Sequence, residues 1–96
     1  MFVVLLKIQA EKTQLAAHMP AHKAWLQQGF DDGCFVLAGN ITSQAGGAIL
    51  VHGISEEELA SRLQEDPFVR EALVSVETIA IQAAKSDPRL AFLCAN

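Results

Sequence analysis

Two side chains far apart in this sequence have the chemistry to move a proton together: His22, and Asp66 within Glu65-Asp66-Pro67-Phe68. A carboxylate hydrogen-bonded to an imidazole fixes the ring's tautomer and favours its protonated form, which suits such a pair to abstracting a proton and returning it. Pro67 stops a helix and Phe68 supplies a hydrophobic anchor, so the sequence plants a carboxylate at the end of an element beside apolar surface. The structural alternative is that Asp66 caps backbone amides and His22 is a satisfied core histidine. Spacing alone favours that alternative.

The other candidates are weaker. His18 and His22 lie four apart, as metal-binding pairs do, but Pro20 stands between them, no HExxH motif is present and no third ligand is implied, so neither a metal nor another cofactor is expected. Gly46-Gly47 lacks the flanking pattern of a phosphate loop and reads as a turn. Ser43 has no GxSxG elbow. Cys34 shows no local sign of activation and reads as a buried structural thiol. His52, at a strand end, reads as a surface or edge residue. Trp25 and Phe68 are core residues first and pocket walls second.

The elements that must position His22 and Asp66 fit one domain of 96 residues. Hydrophobic residues make up 51% and charged residues 19%, more apolar surface than so short a chain readily hides. A net charge of −4 without a Lys/Arg cluster argues against nucleic acid and anionic membranes as partners. The apolar run from Phe2 to Leu6 is ended by Lys7, far short of the roughly 20 residues of a membrane span, and no targeting signal is read at the start. Cys34 and Cys94 form no CxxC motif, which points to a reducing, cytoplasmic setting.

Phe2 to Ile8 reads as a strand, rich in valine and apolar on both faces. The main helix is expected from about Pro20 to Asp32, because proline suits a first turn and breaks an interior. His22, Trp25, Leu26, Gly29 and Phe30 then share one stripe, Lys23, Gln27 and Asp31 fall opposite, and Gly33 ends the helix. Cys34 to Ile41 is a second strand, with Gly39 marking a bulge or a close approach. Asn40 to Gly47 is the hairpin connection and Ala48 to His52 the third strand. Ser55 and Glu58 form a capping box for a helix that carries Leu59 and Leu63 and ends at Asp66-Pro67, and Val69 to Ala72 adds a short turn. Leu73 to Ile81 is a last strand whose imperfect alternation suits a bend or an edge, and Leu90 to Leu93 forms an apolar tail that must either dock or aggregate.

The order β-α-β-β-α-β is ferredoxin-like: α+β, with two helices on one face of a four-stranded antiparallel sheet. Strands apolar on both faces leave the other face needing cover, and a second copy, sheet against sheet, is the simplest cover. A homodimer with a barrel-like interface is therefore expected.

Pro20-Ala21-His22, Leu26, the run GCFVLAG from Gly33 to Gly39, Gly46-Gly47 and Asp66-Pro67-Phe68 together resemble the YciI-like (YCII-related) family. The resemblance implies a dimeric α/β-barrel domain over residues 1–84, with residues 85–96 as a tail outside the common pattern. It also implies a cleft in which His22 and Asp66 are the catalytic pair. The family is similar in fold to muconolactone isomerases, and some relatives look like dehydrochlorinases acting on chlorinated hydroxylated aromatics. Relatives often carry an arginine where this chain has Met19, and a proline where it has Asn40. The expectation is thus a cofactor-independent lyase or isomerase acting on a small molecule, with Gly39, Gly46, Gly47, Trp25 and Phe68 around the substrate. The alternative is a noncatalytic metabolite-binding or assembly module using the same cleft.

Overall fold

The computed structural model describes residues 1–94. Strands β1 (Phe2–Ile8), β2 (Phe35–Asn40), β3 (Gly46–Val51) and β4 (Val74–Ala80) form one antiparallel sheet in the order β2-β3-β1-β4. Helix α1 (Lys12–Asp31) joins β1 to β2, while α2 (Glu56–Gln64) and the single turn α3 (Pro67–Arg70) join β3 to β4. This is the ferredoxin-like α+β order, and β4, the strand of imperfect alternation, lies at an edge.

Period-two alternation along the strands decides which residues meet the helices. Val4 and Leu6 of β1, Ile49 and Val51 of β3 and Phe35 of β2 are buried in one cluster with Leu15 and Trp25 of α1, Leu59 and Leu63 of α2 and Phe68 of α3. The reverse face is also largely apolar, beside the Lys7–Glu77 ion pair at 2.9 Å. Pairing sets Val3 against Leu50 and Ile79, and Leu37 against Leu50, and there Leu37 is 55% and Ile79 41% exposed.

Several expectations are corrected. Helix α1 begins at Lys12, not near Pro20, and runs through the proline. A proline inside a helix removes one amide donor and opposes the carbonyl four residues earlier. That carbonyl belongs to Ala16, and both residues are exposed, so solvent can take the lost bond. Leu15, Met19, His22, Leu26 and Gly29 recur at alternating spacings of four and three, a core-facing seam that outweighs the proline. At the new start, the Glu11 amide donates to Gln14 Oε1 at 3.1 Å.

Gly46 and Gly47 are not a turn but the first residues of β3, opposite Lys7 and Leu6 of β1. A Cβ on Gly46 would strike the Leu6 carbonyl oxygen, so glycine is required by sheet packing there. The strand irregularity expected at Gly39 lies between Phe35 and Leu37 instead, and a Cβ at Gly39 would meet nothing within 4 Å. Asp66 does not end α2, which stops at Gln64; it begins α3. In the tail, a 3₁₀ segment spans Pro88–Leu93, and Phe92 meets His52 edge-on at 5.1 Å between ring centroids.

Gly29 lets the Phe35 ring lie against the backbone of α1, where an added Cβ would overlap the ring. Gly29→Ala should therefore destabilise the fold by about 1–3 kcal/mol, the usual range for overpacking a core. Urea unfolding checks this, and an unchanged midpoint would contradict the packing described.

Candidate active site

Asp66 is set in place by its own stretch of chain. Its amide donates to the Leu63 carbonyl at 3.1 Å, so the chain leaves α2 in a tight turn. Pro67, whose ring pre-sets a helical φ, opens α3, and buried Phe68 anchors it. Asp66 Oδ1 accepts the Phe68 amide at 3.1 Å as the cap of this turn. The capping reading of Asp66 is thus part of the structure.

The same oxygen meets the histidine. His22 Nδ1 lies 2.8 Å from Asp66 Oδ1, with Asp66 fully buried and the His22 side chain 15% exposed. A buried carboxylate accepts, so the neutral ring donates from Nδ1 and keeps its lone pair on Nε2. Asp66 Oδ2 is buried and meets no donor among the described residues, which concentrates the acid's interactions on Oδ1.

Two aromatic contacts fix the imidazole plane. Phe68 stacks on it with centroids 4.0 Å apart and planes 7° from parallel, and Trp25 lies 5.9 Å away. Trp25 Nε1 also donates to the Arg62 carbonyl at 2.8 Å, tying α1 to the end of α2 just before Asp66. Arg62 pairs in turn with Asp32 at 2.9 Å. The Asp32 carboxyl is held below its ordinary pKa, first by the Gln28 side chain and then by Arg62. These ties hold the two segments in register around the pair.

His22 opens on a cavity of about 510 Å³, within the roughly 300–1,000 Å³ of small-molecule sites. Phe68, Leu26, Met19 and Ile8 form apolar wall, Asn40, Gln44 and Lys23 supply polar groups, and Gly46 lines the hairpin side. A smaller recess of about 180 Å³ shares His22, Leu26 and Asn40 and includes Gly39. The structure therefore brings Phe68, Gly39 and Gly46 around His22. Gly47 lines neither hollow, and Trp25 stands outside both as a strut.

Lys23 and Gln44 escape the sequence reading, and Met19 and Asn40 enter it only as departures from the family pattern. The helical pattern sets Lys23 on the face opposite His22, yet it borders the cavity. The signal was present: Lys23 is one helical turn beyond Met19, and Met19 joins the inward seam only once α1 is started at Lys12. No group of three or more metal-ligating side chains occurs among the described residues, and no helix among them is long and apolar enough to cross a membrane.

Comparison with known proteins agrees with this architecture. The family model of the YCII-related domain matches residues 1–88, and the chain belongs to that family. No curated protein matches it. Among solved structures, it is similar to 5-chloro-2-hydroxyhydroquinone dehydrochlorinase from Burkholderia phenoliruptrix AC1100, determined in complex with 2,5-dihydroxybenzoquinone. The TM-score is 0.68 at 14% identity, over 88% of this chain and 96% of that one. At that identity the likeness is one of fold.

Asp66 has two separable duties here, capping Phe68 and facing His22. Asp66→Asn keeps an oxygen for the Phe68 amide, whereas Asp66→Ala removes it. The alanine variant should be less stable than the asparagine variant by about 1 kcal/mol, a typical cap contribution. Urea unfolding measures the difference, and equal stabilities would contradict the capping role.

Proposed function

We propose that this protein is a cofactor-independent lyase or isomerase of small molecules, with His22 as proton acceptor and donor and Asp66 as the residue that orients it. The observation that carries the reading is the 2.8 Å contact between His22 Nδ1 and a fully buried Asp66, on a ring that also lines the cavity. With Nδ1 engaged, Nε2 is the nitrogen left to meet a ligand. It takes a proton from a carbon of the substrate, and the carbon–hydrogen electron pair becomes a new double bond. In an elimination the leaving group departs with its bonding electrons; in an isomerisation the proton returns at another carbon. Asp66 stabilises the imidazolium formed in between.

The dehydrochlorinase of similar fold makes chlorinated hydroxyhydroquinones the first compounds to test. Turnover by the wild type, read as chloride release or loss of substrate absorbance, should fall by about 10²–10⁴-fold in His22→Asn, the usual size of a general acid–base contribution. Asp66→Asn should also reduce it, by slowing the same step. Undiminished turnover in both variants would sink the mechanism. A ligand bound but never consumed would assign the cavity to a binding module instead.

The working form proposed is a homodimer closed sheet to sheet. Its support is the apolar reverse face formed by Val3, Leu5, Leu37, Leu50 and Ile79, where burial of several large side chains is worth roughly 1.5–3 kcal/mol each when complete. A two-fold axis makes such a patch its own partner. Free Cys34 and Cys94 fit a reducing compartment such as the cytoplasm. Light scattering should give a dimer mass for the wild type and a monomer mass for Leu50→Glu; a monomeric wild type would remove the dimer from the proposal.

A further inference from the structure

We infer that the ligand of the His22 cavity is an anion, a flat apolar ring or alkene carrying a carboxylate, and that Lys23 is the residue that binds its charge. The inference takes the location of the site from the proposal above and is independent of the reaction.

Charge distribution comes first. The chain is acidic, with 11 Asp and Glu against 7 Lys and Arg, yet among the described residues no acidic side chain lines the cavity. Nor, among them, does one line the groove that adjoins it along α1 through Met19 and Lys23. Lys23 borders both hollows, and Lys12 borders the groove. Lys7 is matched with Glu77 at 2.9 Å and Arg62 with Asp32 at 2.9 Å, but Lys23 makes no ion pair or side-chain hydrogen bond among the described residues. Asp66 is buried behind His22 and takes its donors on Oδ1. Lys23 is exposed at the rim of a largely apolar hollow, and an ammonium without a protein partner there is placed to meet the charge of an anion whose apolar body lies inside.

Shape comes second. His22 and Phe68, stacked on each other, both border the cavity, and Leu26 and Met19 add aliphatic wall. A planar apolar body fits against such surface. Asn40 and Gln44 can orient its polar substituents without adding charge. Lys23, one turn beyond Met19 along α1, supplies a cation to this hollow. A lysine binds a carboxylate as a point charge without the paired geometry of a guanidinium, so the demand is for charge and flatness more than for one fixed orientation.

The test uses the full chain and matched acid and amide pairs: benzoate with benzamide, cinnamate with cinnamamide, naphthoate with naphthamide. Binding is followed by NMR at low salt. At least one acid should bind more tightly than its amide and shift the Phe68 and His22 side-chain resonances. Lys23→Gln should weaken that acid by about tenfold, as loss of one charge-assisted contact does, while Lys23→Arg retains it and Lys12→Gln leaves it unchanged. The inference is overturned if no acid exceeds its amide, or if Lys23→Gln binds the acid as the wild type does. His22→Asn should keep the preference for acid. Turnover that ignores His22, with that preference intact, would therefore strike the catalytic proposal and leave this one standing.

Discussion

A carboxylate cannot stay fully buried unless something compensates its charge, and Asp66 is compensated at a single oxygen by the His22 ring and the Phe68 amide. That requirement binds α1 to the link between α2 and α3. Removing either partner leaves a buried polar group unanswered, the costly half of any buried pair. The contact is therefore structural whatever else it does, and the structural and functional readings of the pair are not rivals. A carboxylate rigid enough to cap a helix is also rigid enough to hold an imidazole in one tautomer.

The aromatic residues make that rigidity local. Phe68 caps one face of the imidazole, and Trp25 spans from α1 to the carbonyl of Arg62. Gly29 allows Phe35 to rise against α1, so the helix sits close to the sheet on the side where Trp25 meets Phe35 at 5.3 Å. The sheet contributes little chemistry itself. It supplies the core that fixes the distance between helices, and the hairpin between β2 and β3 forms the far wall of the cavity at Asn40, Gln44 and Gly46.

Much of this was legible before any coordinates. The alternation of strands and helices, the Ser55 capping box and the convergence of His22 with Asp66 follow from patterns that are local or carried by the family resemblance. What escaped depended on context. Pro20 broke the helix on paper because propensity treats an interior proline as a fault, whereas an exposed position in a well-seated helix tolerates it. Gly46-Gly47 looks like a turn because glycine pairs mark turns, but both lie in β3, where the Leu6 carbonyl of the neighbouring strand leaves no room for a Cβ at Gly46. Lys23 was hidden by the same error as the helix start, since the seam's direction sets which flank of α1 borders the cavity. Asp66 lies at a helix end as the sequence suggests, but at the start of α3 and not the end of α2.

Direct contact between His22 and Asp66 puts the neutral ring's proton on Nδ1 and leaves Nε2 to meet a ligand. The nitrogen-15 spectrum of the His22 imidazole at a pH where the ring is neutral reads this arrangement. A protonated Nδ1 and an unprotonated Nε2 are expected, with the pattern lost when Asp66 is replaced by alanine. A ring protonated on Nε2, or one averaging freely between tautomers as an exposed histidine does, would contradict it.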